Sequence, residues 1–412
     1  MLQEGYDKYK GGMFKIPLPD RWIVVVTGSR LVDDLQKFPD DHVSFLEAAA
    51  DLTHINHIFG DEAHHNPLHL TVIRQQLTRQ LVTLFPDVRD EISTAFQELI
   101  PAKENEWTPI NATSVIRQIV ARASNRVFVG VPLCRDPGYL DLTVNFAVDS
   151  GVKYLGKMIA ERTQNMEEYG ADWSERPNDL LQWLIETASK SGKLRASFIV
   201  RLMMIVNFAA IHTSSNSFLH ALYHLAADPE LMQPLREEID AVIKEDGWTK
   251  AAMGKMRKLD SFMRESQRVN GINGVSVMRK ALKDLHFSDG TRIPAGTVLV
   301  TAANATHLDE ENFHNPDIFD PFRFSDMRDE DGESTKHQFV STSVDYVAFG
   351  HGKHACPGRF FAANELKAMM AHVIVTYDVK FSNEGVRPAN KWIATTIAPD
   401  PTATVLFRKR RA

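Results

Sequence analysis

The 412-residue chain holds only two cysteines, Cys134 and Cys356. Two are too few for a disulfide framework, and they nearly exclude a structural zinc site built on thiolates. A basic surplus is also missing: 47 Lys and Arg stand against 53 Asp and Glu, a formal charge of -6. Nucleic acid, which needs clustered cations, is therefore not an expected partner. The closing Arg408-Lys409-Arg410-Arg411 run reads as a solvated tail. No apolar run reaches the ~20 residues of a membrane span. The longest, residues 198–211, is interrupted by Arg201 and Asn207 and reads as a buried helix, so the chain as given is expected to be soluble. Residues 1–10 are polar and charged, so no signal peptide is expected. Nor does the sequence carry an internal repeat, a low-complexity linker or a flavin or dinucleotide fingerprint.

What is present is ordinary globular composition, 43% hydrophobic and 24% charged, enough for a large core. Residues 14–19 and 22–27 read as two short strands around a Pro-Asp turn. Apolar residues then recur at helical spacing from Pro67 onward (Leu70, Ile73, Leu77, Leu81) and through 88–99, 114–128 and 142–169. Two further helices are expected over 195–225 and 229–244, the second opened by Asp228-Pro229. Asp289-Gly290 and Pro294-Ala295-Gly296 punctuate 275–300 as hairpins. A last helix is expected over 359–376, before a β-like tail. The fold class is mainly α with a small β lobe, in one domain over 1–412.

The segment from Phe349 to Arg359 places Cys356 directly ahead of the last helix, with Pro357 suited to a first helical position. A thiolate there faces unpaired backbone N–H groups and the positive end of the helix dipole, which lowers its pKa. Gly350, Gly352 and Gly358 let the backbone turn tightly and approach a flat ligand. Two other readings stand beside this one: an inert buried cysteine, and a nucleophile paired with His354.

Phe349, Gly352, Cys356 and Gly358 stand in the register Phe-x-x-Gly-x-x-x-Cys-x-Gly, which resembles the haem-binding signature of the cytochrome P450 family. Other elements of the family follow in its order. Glu265 and Arg268 form a Glu-x-x-Arg pair, close enough on a helix to interact. Arg323, in Asp320-Pro321-Phe322-Arg323-Phe324, resembles the third partner of a buried Glu–Arg–Arg network. Residues 208–215 resemble the oxygen-binding helix, with Ala209 and Ala210 at its small positions and Thr213 at its threonine. His212 replaces the family's usual acid there, which leaves the proton relay open, since imidazole can shuttle protons or simply pack. Arg74 resembles the haem-propionate arginine of Trp-x-x-x-Arg, although Leu70 stands where tryptophan is common. Arg279 and His354 are the other propionate candidates.

The resemblance implies the family's fold, a triangular helical prism around haem b. It implies Cys356 as the iron ligand, with Phe349 on the sulfur side, and insertion of one oxygen atom of O2 into an apolar small molecule. Terpenoids, steroids and aromatic natural products are the substrate classes it suggests. Thr213 and His212 are then catalytic. Substrate contacts fall on Ala209 and Ala210, on Gly274 and Val275 within 273–277, on Ile393 within 392–397, and on a 56–65 loop. His64, His65 and His69 look metal-like, but a polar loop is the plainer account. Electrons come through an NADPH-dependent flavoprotein reductase of the cytochrome P450 reductase type, met by the positive Lys353 and Arg359. The resemblance is to fungal microsomal members, with an anchor ahead of residue 1 and a place on the cytoplasmic face of the endoplasmic reticulum; a soluble bacterial type is the alternative. Rival activities are a haem-thiolate peroxygenase or isomerase and a non-catalytic haem carrier.

Overall fold

The computed structural model describes every residue except 146, 147, 384 and 412. The chain divides into two compact units, each assembled from separated stretches of sequence.

The first unit comprises Met1–Ile55, Asp260–Arg359 and Ala389–Asp400. Its centre is a five-stranded sheet in the order Met13–Pro17, Trp22–Val26, Val298–Thr301, Ser276–Ala281, Val43–Ser44. The first two strands form the expected hairpin, and Trp22–Val26 runs parallel to Val298–Thr301. Side chains alternate across the sheet. Val24, Val26 and Leu299 pack under Leu31 and Leu35 of helix Ser29–Lys37. Ile23, Val25, Val298 and Val300 pack on the opposite face with Phe14, Ile16 and Ala48. Both faces are thus buried, which is why these strands read as unbroken apolar runs. Asp289-Gly290 turns the small hairpin Leu285–His286/Arg292–Ile293, with Gly290 at φ 87.

Strand Ser276–Ala281 has a feature invisible in sequence. Its register shifts between Ser276 and Arg279, and Val277 there takes φ 44. A β-branched residue at positive φ is strained, and such bulges re-aim the side chains that follow them.

The second unit comprises Asn56–Leu259, Phe360–Pro388 and Pro401–Ala412. Helices Thr78–Leu99, Ala112–Phe128, Val148–Tyr169 and Ala196–Ala227 pack together, and an antiparallel sheet of Thr108–Asn111, Thr404–Lys409 and Tyr377–Lys380 closes one side. Ala112–Phe128 starts where Asn111 accepts the Ser114 N–H at 2.9 Å, an N-cap. Among the described residues Ala196–Ala227 is the one helix long and apolar enough to cross a membrane. It is nonetheless a core helix, as expected, buried by neighbours on several sides. Its Asn207 meets Asn125 at 2.8 Å, and Asn125 accepts from the Tyr139 hydroxyl at 3.2 Å.

The fold is mainly α with small sheets, as the periodicity implied, and the last helix is Arg359–Thr376. Residues 56–65 are not a loop: they form helices Ile55–Phe59 and Asp61–His65, broken at Gly60 with φ 84. The stripe from Pro67 contains a π-helical turn, Ile73–Leu77, between Leu68–Val72 and Thr78–Leu99. The 142–169 stripe is two helices, Pro137–Asn145 and Val148–Tyr169, with 146 and 147 outside the described residues. The helix expected over 229–244 begins as a 3-10 turn, Pro229–Leu231, and continues as Met232–Asp246.

Candidate active site

The cysteine loop lies in the first unit. Two glycines at φ 72, Gly350 and Gly352, shape it. The Gly350 N–H donates to the Val347 carbonyl at 2.9 Å, and a Cβ on Gly352 would collide with the Gln36 side chain. The Cys356 N–H donates to the Phe349 carbonyl at 2.7 Å, closing the loop, while the Phe349 ring meets Phe339 edge-on at 5.7 Å. Gly358 has open space where a Cβ would stand, so no protein contact explains it.

Cys356 is exposed, unlike the buried Cys134. The crowding of atoms about its sulfur pushes the thiol pKa up, and this outweighs the Gly358 N–H, the Arg359 charge and the Arg359 N–H. The downward pull expected of a helix start is therefore present but not dominant. A bound metal cation deprotonates a coordinating thiol outright, so ligation does not need a thiol acidified beforehand.

Arg279 supplies the test of whether these residues fit a haem. Its side chain is 2% exposed, and only Nη1 finds an acceptor, the Met278 carbonyl at 2.7 Å. Nε and Nη2 are buried without partners, and burial lowers its pKa to about 10. A buried cation offering two spare donors fits an anion such as a haem propionate. His354 Nε2 lies 2.7 Å from Asp40 Oδ1, and Lys353 Nζ reaches the same oxygen at 2.8 Å. Burial lowers the His354 pKa against the opposing pull of Asp40.

Glu265 and Arg268 meet in the first unit as their spacing predicts, and Arg323 joins them as the resemblance implies. Arg268 clamps Glu265 with Nε and Nη2 at 2.8 and 2.7 Å, and Arg323 Nε reaches Glu265 at 3.1 Å. The two substrate segments also meet there. The Gly274 N–H donates to the Thr395 carbonyl at 2.7 Å, and a Cβ on Gly274 would stand 2.9 Å from Trp392. Val275 is buried beside it, while Ile393 is 69% exposed.

The remaining candidates lie in the second unit. From Phe198 to Ala226, only Ala209 and Thr213 are exposed, one turn apart, with Ala210 partly exposed. The Thr213 hydroxyl donates to the Ala209 carbonyl at 2.6 Å, which leaves its oxygen free to accept. His212 is half-buried, its pKa lowered by burial and by Arg117 against a contact with the Val144 backbone. Arg74 is exposed on the π-helical turn. Gln36, Asp40 and Ser276, which hold or flank the cysteine loop, escaped the sequence reading, because a single Gln, Asp or Ser carries no spacing signal.

A chain that presents one exposed thiol ahead of a helix, in the same unit as a buried arginine with two unpartnered donor nitrogens, has the makings of a haem-thiolate oxidoreductase. The cytochrome P450 family model matches residues 93–406. "Cytochrome P450 monooxygenase 151" of Postia placenta is 50% identical over 443 aligned positions, covering all of this chain and 89% of the relative. "Cytochrome P450 monooxygenase CYP512U6" of Ganoderma lucidum is 35% identical, with 100% and 86% covered, and "Cytochrome P450 monooxygenase olcJ" of Penicillium canescens 32%, with 99% and 83% covered. The chain belongs to the cytochrome P450 family. It is accordingly an iron- and haem-dependent monooxygenase that uses O2, a substrate and a redox partner.

Proposed function

We propose that the chain inserts one oxygen atom of O2 into an apolar small molecule of the terpenoid, steroid or aromatic natural-product class, with Cys356 as the iron ligand. The observation that carries this is the exposed Cys356 thiol in the same unit as Arg279, whose two spare donors suit a carboxylate. Bound haem supplies the oxygen-activating iron, and thiolate ligation favours O–O cleavage.

The protein's share is to orient, exclude water and move protons. In the first unit Arg279 and His354 would hold propionates, with Phe349, Gly350 and Gly358 lining the haem-binding loop; Arg74, in the second unit, is a further propionate candidate. Thr213 would offer its hydroxyl oxygen as a hydrogen-bond acceptor, since its own proton is engaged by the Ala209 carbonyl. His212, kept neutral near pH 7 by its lowered pKa, shuttles protons. Ala209, Ala210, Gly274, Val275 and Ile393 contact the substrate. Both units are discontinuous in sequence, which supports their action as one catalytic domain. Electrons come from an NADPH-dependent flavoprotein reductase, at the cytoplasmic face of the endoplasmic reticulum. Similarity to fungal relatives supports both placements.

The test is the carbon monoxide spectrum of the reduced protein. A thiolate-type Soret band that disappears in Cys356→Ala is expected; a histidine-type band, or an unchanged spectrum in the variant, overturns the assignment. NADPH-dependent products from a panel of apolar compounds with added reductase then define the substrate class. Turnover with peroxide alone would favour the peroxygenase reading instead.

A further inference from the structure

His307 closes the helix Ala303–His307 and is 2% exposed. Its two polar ends serve different parts of the first unit. The main-chain carbonyl accepts Arg268 Nη1 at 2.7 Å, so the residue is tied to the buried Glu265–Arg268 pair. The ring reaches the other way: Nε2 accepts the Val347 N–H at 3.0 Å, with the imidazole stacked on Tyr346 at 5.0 Å between centroids. Accepting at Nε2 requires the neutral ring protonated at Nδ1. Its surroundings enforce that state, since burial, with Arg268 and Arg264 nearby, lowers the pKa to about 3.

Val347 begins the turn that presents the cysteine. It is fully buried, and its carbonyl accepts both the Gly350 N–H at 2.9 Å and the Ser276 hydroxyl at 2.7 Å. Two residues on, the Phe349 carbonyl accepts the Cys356 N–H. Val347 is thus pinned on both sides of its peptide, and His307 supplies the acceptor for the N–H side. Without that acceptor a buried N–H would stay unsatisfied unless the turn moved.

We propose that His307 is a positioning residue for Cys356. Its ring fixes the Val347–Gly350 turn to the rigid Glu265–Arg268 pair and so sets where the sulfur stands. This rests on the reading of Cys356 as the iron ligand. It gives the Glu265–Arg268 pair a second consequence besides packing: through one side chain, its rigidity reaches the metal-binding loop.

The experiment compares the holoenzyme with His307→Leu, His307→Gln and His307→Asn. It follows haem content and the carbon monoxide spectrum of the reduced protein during mild heating. The carboxamide oxygen of Gln reaches the Nε2 position; that of Asn stops near Nδ1. Expected is conversion from the thiolate-type to the non-thiolate-type band about fivefold or more faster in His307→Leu and His307→Asn, with His307→Gln close to the parent. Equal conversion rates in all three variants, or a lowered melting temperature in His307→Leu without faster conversion, would make His307 merely structural and overturn the proposal. Should His307→Leu not fold, the Gln–Asn pair decides alone, equal rates overturning it. If the parent protein shows no thiolate-type band, the reading of Cys356 fails instead, which separates the two claims.

Discussion

Arg268 and Arg279 are both almost wholly buried in the same unit, yet their surroundings differ. Arg268 spends its donors on Glu265 and on the carbonyls of His307, Pro316 and Ile318. Arg279 has one carbonyl, with Nε and Nη2 left over. Removing a charge from water is costly unless its donors are matched, so a fully matched arginine reports architecture. An incompletely matched one has donors to offer an anion that the chain does not itself provide. Glu365 in the second unit shows a third solution. It is buried with Ser124 as partner at 2.7 Å and no partner for its second oxygen, and burial raises its pKa to about 8, so it is neutral at pH 7.

The comparison breaks most sharply at Glu265. Glu265→Ala strands Arg268 as an uncompensated buried charge and should cost about 3–5 kcal/mol, to the point of little folded protein. Urea unfolding or soluble yield reads it. Near-normal stability would mean that the carbonyls alone satisfy Arg268.

Glu365→Gln should show the next largest effect, and the sign follows from linkage. A folded-state pKa raised above the ordinary 4.5 gives stability that is complete below 4.5 and is lost as pH rises toward 8. Gln cannot ionise, so the variant gains on the parent by a few kcal/mol at pH 8 and converges with it near pH 4. Parallel melting-temperature profiles between pH 4 and 8 would show that Glu365 does not carry the shift.

Arg279→Leu separates the two arginines directly. Apoprotein stability should hold or rise, because an unmatched charge is gone. Haem should bind about 10- to 100-fold more weakly, measured by its transfer to an acceptor protein. Loss of apoprotein stability with unchanged haem affinity would place Arg279 beside Arg268 as architecture.

Much of this was legible in the chain. The Phe349–Gly358 loop and the Glu265–Arg268 pair stand in a fixed linear register, and linear register survives into structure when residues share a turn or a helix; Arg323, on another helix, follows from the resemblance alone. Ala209 and Thr213 follow from the resemblance; their shared exposure one helical turn apart emerges only in the structure. The strain at Val277, the orphaned donors of Arg279 and the reach of His307 to Val347 were not legible. Each depends on residues tens of positions away, and a lone His, Val or Arg has no period to betray it. The 56–65 helices were missed because the segment is polar and each helix is only five residues long, too short for an apolar period to show; Gly60 breaks the helix there without abolishing it.

Asp40 carries the smallest expected effect and the finest distinction. It faces His354 and Lys353 and helps hold the Arg279 charge, yet its carboxylate is 68% exposed. Lys353 first and His354 next pull its pKa below the ordinary carboxylate range. Water competes for every one of these contacts, so Asp40→Asn should cost less than about 1 kcal/mol in thermal stability, and added salt should shrink even that. A larger, salt-insensitive loss would mean that Asp40 is enclosed once haem binds. The anion side of the Arg279 site would then include a protein carboxylate as well as the propionate.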